Sequence, residues 1–316
     1  MTLTIREFTP ADYAAITNVF QLTQPEDGWE ESDFREEDDT RPDHCKHQKW
    51  VAEVDGNIVG VSLYDQRAHT YDPQKFWFDG GVVPEYQNQG IGTALLAEVV
   101  RAIQEHDGKE IITATGEDRP HVIQFLENRK FEAFNTAWES HLKLDEYDPM
   151  PYKGLLEKLK GEGIAFKTFA ELADSDKHLE KLYDLWWATK QDEPTVFGVV
   201  TKIDFDHFVK TRLNGQYFDP DGYFIALDGD DYIAYSNFWE SKPGEYLWIG
   251  FTGTLPKYRS RGIATALKVI GNEYAKSKGF KEVRTSNNSV NAPMLLVNVK
   301  MGFDRQPAVV VLKQRL

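Results

Sequence analysis

Along the 316-residue chain, short alternating runs of apolar and polar residues are separated by amphipathic ones, and the pattern runs through twice. Residues 3–8 alternate, which predicts a strand. Thr9-Pro10 then opens a helix, with Thr9 at its N-cap and an apolar face of Tyr13, Ile16, Val19 and Phe20. Residues 26–43 are rich in acid and poor in apolar groups, which predicts a solvated loop or short helix. Residues 49–54 and 58–64 predict two strands joined by the hairpin turn Asp55-Gly56-Asn57. Residues 76–83 predict a strand interrupted by Gly80-Gly81, a pair that suggests a bulge or the close approach of another backbone. A helix from 93 to 105, a strand at 110–114, a short helix at 120–128 and strands at 131–134 and 137–144 complete this half. Residues 145–151 hold acids and two prolines, so domains are expected at 1–150 and 151–316.

The second half opens with a connecting helix at 153–160 and a strand at 164–169. Helices are expected at 176–190 and 205–213, then strands at 222–227, 232–239 and 246–255. A further helix, a strand at 282–285, a helix at 293–300 and strands to the C-terminus follow. Residues 76–131 align with 248–303 without a gap. Gly81 meets Gly253, Pro84 meets Pro256, Tyr86 meets Tyr258, Gly90-Ile91 meets Gly262-Ile263, and Phe131 meets Phe303. This is an internal duplication of one α/β unit.

Each copy places a Gly-containing turn between a strand and a helix: Gln87-Asn88-Gln89-Gly90-Ile91-Gly92-Thr93, and Arg259-Ser260-Arg261-Gly262-Ile263-Ala264-Thr265. Such a turn presents backbone N–H groups at the positive end of a helix dipole, a site for phosphate or pyrophosphate. In the second copy two arginines flank it.

The formal net charge of −15 argues against nucleic-acid and anionic-membrane partners. No apolar run is long enough for a membrane span, and the N-terminus has no signal-type apolar block, so a cytoplasmic protein is expected. The aromatic share of 13% points to aromatic-lined cores or pockets. The single cysteine, Cys45, is expected at the surface. With His44 and His47 it lacks a known ligand spacing, and the carboxylates of 26–43 lack a calcium-loop spacing, so no metal site is expected.

The turn pattern, Gln/Arg-x-x-Gly-x-Gly/Ala after a strand and opening a helix, resembles the acetyl-CoA-binding motif of the GNAT superfamily of N-acetyltransferases. The order of hairpin, bulged strand, turn, helix, strand and helix is similar to that fold in both halves. In the second half Thr285-Ser286-Asn287, Asn291-Ala292-Pro293-Met294-Leu295, Asn298 and Gly302-Phe303 resemble tandem-domain members, the group that includes mycothiol synthase. The resemblance implies an α/β (α+β) protein of two tandem domains, each a mixed, mostly antiparallel sheet flanked by helices. It implies acetyl-CoA as cofactor and a small-molecule amine as acceptor, in a monomer or homodimer.

Residue by residue, the resemblance puts the pyrophosphate on Arg259, Arg261, Gly262, Ile263, Ala264 and Thr265, and in the first half on Gln87, Gln89, Gly90, Ile91, Gly92 and Thr93. It puts the pantetheine arm on Thr254-Leu255, with Val82-Val83 in the first half, and near Asn291. Direct transfer needs a base for the amine, an acid for the thiolate and a donor to the oxyanion. Many members carry a tyrosine acid where this chain has Leu126 and Asn298, and some carry a glutamate base where it has Phe76 and Trp248. Candidates on the second half's strands are then Glu240, Glu245 and Tyr246, with Tyr235. The acceptor pocket is expected among Trp186, Trp187, Asp192, Glu193, Pro194, Phe197, Asn237, Phe238 and Trp239, whose acids and aromatic rings suit an amine. The second half, with its arginines and Asn291, is expected to catalyse, and the first to bind cofactor weakly or serve structurally. The missing acid and base leave a non-catalytic acyl-CoA-binding module as the alternative.

Overall fold

The computed structural model describes residues 2–175, 177–241 and 244–316. In chain order its strands are β1 (Leu3–Glu7), β2 (His47–Val54), β3 (Asn57–Asp65), β4 (Lys75–Val82), β5 (Glu110–Gly116), β6 (Glu132–Lys143), β7 (Ile164–Thr168), β8 (Tyr223–Asp228), β9 (Asp231–Glu240), β10 (Tyr246–Thr254), β11 (Glu282–Asn288) and β12 (Asp304–Arg315). The α-helices are α1 (Tyr13–Thr23), α2 (Glu31–Thr40), α3 (Ile91–Glu105), α4 (Pro120–Glu127), α5 (Lys153–Gly161), α6 (Phe169–Leu172), α7 (His178–Lys190), α8 (Phe205–Phe208), α9 (Ile263–Ser277) and α10 (Ala292–Lys300).

Two compact units divide these elements. One holds residues through Asn135 together with Thr195–Thr201 and Val309–Leu316; the other holds Thr136–Pro194 and Lys202–Ala308. In the first, the sheet order is β1-β2-β3-β4-β5, closed by residues 309–315 of β12 running antiparallel to β5. In the second the order is β7-β8-β9-β10-β11, closed by residues 137–143 of β6 running antiparallel to β11. Every neighbouring pair within these runs is antiparallel except β4–β5 and β10–β11. The mixed, mostly antiparallel architecture expected of each half is therefore present. The division differs from a cut at 150/151: residues 136–150 go with the second unit, and 195–201 and 309–316 with the first. A composition shift reports local polarity, whereas strand pairing joins segments distant in sequence.

The β2–β3 hairpin has positive φ at Asp55 (48°) and Gly56 (86°), as a two-residue turn matched to strand twist requires. In the acidic stretch α2 forms because Phe34 packs its ring against Phe20 (5.2 Å) and Trp29 (5.0 Å). Cys45 is not a surface residue as expected. It is buried, and burial raises its thiol pKa to about 11. The helix expected from Asp176 begins at His178; Asp176 lies outside the described residues. The helix expected over 205–213 is α8 followed by one π turn, Val209–Leu213. The strands expected at 131–134 and 137–144 are the single β6.

The first core packs α1 and α3 on the sheet through Ile16, Val19, Phe20, Leu95, Leu96 and Val99. The second packs α9 on β8–β11 through Ile263, Ala266, Leu267 and Val269. Each of these two long helices starts at the glycine of a turn, so the core fixes where the turn's N–H groups point.

Candidate functional site

The two turns have the same backbone. Asn88 and Ser260 take φ of 59° and 61°, and Gly90 and Gly262 take 84° and 88°. Only glycine adopts the latter without strain, and each is the N-cap of the helix that follows. The first side chain of each turn folds back on the strand end. Gln87 Nε2 donates to the Val82 carbonyl (2.9 Å) and Arg259 Nε to the Thr254 carbonyl (3.0 Å).

Their surroundings differ. A Cβ at Gly90 would meet nothing within 4 Å, whereas one at Gly262 would lie 2.7 Å from Leu155 Cδ1 of α5. Arg261 Nη2 donates to Glu162 Oε2 and Arg259 Nη2 to Asp192 Oδ2, each at 2.6 Å. The first turn has a cation of its own that sequence reasoning missed. Arg129 donates to Thr93 Oγ1 (2.5 Å) while its guanidinium lies 3.7 Å from the centre of the Phe125 ring.

Next to each turn the sheet is split. β4 pairs with β5 only over Lys75–Trp77 but runs on to Val82; β10 pairs with β11 only over Tyr246–Ile249 but runs on to Thr254. A register shift between Ile249 and Phe251 bulges β10 where the split begins. The expected arm contacts need a correction here. The N–H groups of Val83 and Leu255 are taken by the carbonyls of Val59 and Ile233, both at 2.9 Å. Thr254 Oγ1, by contrast, is buried with no partner, an orphan acceptor and donor at the split. Asn291 caps α10 at the end of β11.

Behind the second split runs a chain of polar side chains. Lys268 of α9 is 1% exposed and donates from Nζ to Asn298 Oδ1 of α10 (2.8 Å). Asn298 Nδ2 donates to Asn287 Oδ1 of β11 (2.6 Å). Burial alone lowers the Lys268 pKa, to about 7. The register of the duplication assigns Leu96, Leu126 and Thr115 to these three places in the first unit.

On the opposite face of β8–β10 lie the residues expected to receive the acceptor. Tyr223 and Tyr235 stack at 5.4 Å between ring centres, and Tyr235 stacks on Phe251 at 5.3 Å. Burial pushes both phenol pKa values up. Glu193 is paired with Lys190, whose ammonium lies 5.1 Å from the centre of the Phe251 ring and whose pKa burial lowers. Arg212, on the π turn, feels Tyr235, Glu193 and Tyr223; desolvation lowers its pKa. Asn237 Oδ1 is buried without a partner, and Trp239 covers Gly250 so closely that any side chain there would collide with its ring. Lys190, Arg212 and Tyr223 were not anticipated in this group.

Three expected acceptor residues are elsewhere, Phe238 among them, buried in the core under α9 with its ring against Gly271. Trp186 is buried between Tyr183 (5.9 Å) and Phe208 (5.2 Å), a packing residue. Phe197 belongs to the first unit, buried against Ile112 and Val311, with its carbonyl accepting from Lys75 Nζ (2.6 Å). The catalytic candidates also lie apart from the split. Glu240 is exposed at the end of β9. Glu245 lines a cleft of 590 Å³ with Lys143, Lys281, Glu282 and Arg284. Tyr246 stacks under Arg284 at 3.8 Å, at the start of β10. Tyr246 stands three residues before Ile249, the last residue paired ahead of the split, roughly 10 Å along the strand. In the first unit sequence reasoning missed Asp79 of β4. It accepts from Gln24 Nε2 (3.0 Å) and Gly80 N–H (2.6 Å), and burial raises its pKa. Among the described residues no group of three or more metal-ligating side chains converges, and no helix is long and apolar enough to cross a membrane.

The family model described as the acetyltransferase (GNAT) family matches twice, over residues 14–131 and 179–303. The chain is 23% identical over 279 residues to a mycothiol acetyltransferase of Actinosynnema mirum, covering 85% of this chain and 84% of that protein. It is 23% identical to that of Amycolatopsis mediterranei, over 81% and 80% of the two chains. Among solved structures, a tandem GNAT protein from the clavulanic acid biosynthesis pathway superimposes with a TM-score of 0.76 at 17% identity, over 99% of this chain and 98% of that one. A GCN5-related N-acetyltransferase from Sphaerobacter thermophilus does so with a TM-score of 0.68 at 19% identity, over 99% and 95%.

Proposed function

Since the chain belongs to the acetyltransferase (GNAT) family and is an acetyl-CoA-dependent acetyltransferase, we propose that it acetylates the amine of a small molecule by direct transfer in its second unit. One observation carries the choice of unit. Thr254 at the second split and the Lys268–Asn298–Asn287 chain behind it correspond in register to apolar or shorter residues of the first unit: Val82, Leu96, Leu126 and Thr115. Donors and acceptors at and behind a split suit a polar arm; leucines in the core behind it suit packing.

The residues present fit the cofactor. The N–H groups of Ile263, Ala264 and Thr265 and the guanidinium groups of Arg259 and Arg261 would hold its pyrophosphate, and Thr254 Oγ1 and Asn291 would meet its arm. Bound there, acetyl-CoA supplies an activated acetyl thioester. Both arginine ion pairs are half-exposed and so are weak enough for phosphate to replace them. Leu155 and Glu162 have to give way at the turn. Among the carboxylates considered, Glu193 is the one at the acceptor face. It takes the amine proton, while Phe251 and the unpartnered Asn237 Oδ1 orient the acceptor over the buried Tyr235 ring. The names of the relatives support a small-molecule acceptor and go no further.

The test is a pair of charge substitutions. Ala264→Asp and Gly92→Asp each put a carboxylate in the first turn of a helix, where the fold tolerates it and a pyrophosphate does not. Thiol release from acetyl-CoA with a panel of amines should vanish with Ala264→Asp and persist with Gly92→Asp. A second reading, catalysis in the first unit, is favoured by the open space at Gly90 and by the buried carboxyl of Asp79; it requires the reverse outcome.

A further inference from the structure

Lys268 is the only lysine among the largest fully buried side chains of the described residues, and its one hydrogen bond goes to a neutral amide. The Phe303 ring centre lies 5.3 Å away, and no charged side chain enters its titration. Burying an amine this way is costly. The fold does not need it. At the same register the first unit packs Leu96 against its core, with Leu126 where the second unit has Asn298. The same backbone therefore accepts two leucines in one copy and keeps a lysine–asparagine pair in the other.

The bonding has a direction. Asn298 presents its oxygen to Lys268 Nζ, and the amine in its protonated form can only donate, which holds the Asn298 amide in that orientation. Its NH₂ is thereby turned to Asn287, which must present its own oxygen in reply. That fixes the Asn287 NH₂ on the outward side. Asn287 lies beyond Ile249↔Thr285, the last pair of the β10–β11 ladder, on the stretch of β11 where the split has opened.

We propose that Lys268 is a positioning residue: through Asn298 it fixes the Asn287 amide so that its N–H groups face the split and donate to a carbonyl oxygen of the acyl-pantetheine arm. The inference rests on the reading that the second unit holds acetyl-CoA. Lys268 touches neither cofactor nor acceptor; it sets which end of an amide does.

The experiment is calorimetric titration of the full chain with acetyl-CoA, together with thermal melting without ligand. The binding that Ala264→Asp abolishes is that of the second unit. Lys268→Met and Asn287→Ala should each weaken it about fivefold or more, and the double variant should be no weaker than either alone, because both remove the same hydrogen bond. Lys268→Met should melt at or above the wild-type temperature, which separates positioning from structural support. If that variant does not fold, Lys268→Leu with Asn298→Leu, the pair the first unit carries, takes its place. Wild-type affinity in the lysine variant, or additive losses in the double variant, overturns the inference alone. Acetyl-CoA binding undiminished in Ala264→Asp overturns the second-unit reading and the inference with it.

Discussion

Arg259 Nη2 donates to Asp192 Oδ2 at 2.6 Å while its Nε holds the Thr254 carbonyl at 3.0 Å. One guanidinium thus ties the segment after α7 to the end of β10 and to the turn. The pair is open to water, with side-chain exposures of 44% and 53%, so it contributes at most about 1 kcal/mol. Asp192→Asn should therefore free Arg259 for phosphate and lower the KM for acetyl-CoA several-fold, with the gain shrinking as salt is raised. Steady-state kinetics at two ionic strengths check this; a raised KM contradicts it.

Phe197 was expected to line the acceptor pocket, and the structure buries it in the first unit against Ile112 and Val311. Phe197→Ala should destabilise the protein by about 3 kcal/mol, the usual cost of removing a buried ring. The KM for the acceptor should not change. Denaturant titration and kinetics on the same preparation separate the two roles.

The Lys268 amine titrates at about 7 in the folded protein, against about 10.4 in an unfolded chain. Between those values the unfolded chain binds more protons. Stability from this group therefore rises with pH from about 7 to about 10 and falls on acidification through the same window. Lys268→Met should lack that slope. Unfolding free energies of both proteins at pH 7, 8.5 and 10 give the comparison, and parallel pH dependences would refute the burial of a titrating amine.

At the other end of the chain Arg6 donates to both Asp12 oxygens, at 2.8 and 2.9 Å, and Thr9 N–H donates to Asp12 Oδ2 at 2.7 Å. The Arg6 hydrogen bond, with those from Thr9, holds the Asp12 carboxyl well below the usual carboxylate range. Its contribution is present above the unfolded pKa, about 3.9, and is lost as pH falls below that. Asp12→Asn should lower Tm at pH 7, with the gap to wild type closing below pH 4. Melting curves across pH 2–7 test this, and a gap independent of pH counts against it.

Much of this was legible because the chain carries its own comparison. The gapless register located both turns, and their φ angles agree within a few degrees. The same register held an unread sign: lysine at 268 where the copy has leucine at 96. A lone lysine on a helix looks solvated; opposite a leucine it marks a buried position. Burial of Trp186 and the unit to which Phe197 belongs were not legible, since aromatic residues serve pockets and cores alike. Nor was the loss of the Val83 and Leu255 amides to Val59 and Ile233, which depends on strand register. Glu240 and Glu245 were picked for residue type on the right strands, but type does not say which end of a strand meets the split.

Residues 309–315, seven of the last eight, close the sheet of the first unit on β5. Until that distant segment docks, the edge of β5 is unpaired and is an aggregation hazard. Its sheet joins residues roughly two hundred positions apart, and slow folding follows from that topology. A proteolytic nick that sheds these residues would unseat a strand roughly two hundred positions away in sequence, in the unit that the amino acid order least connects to it.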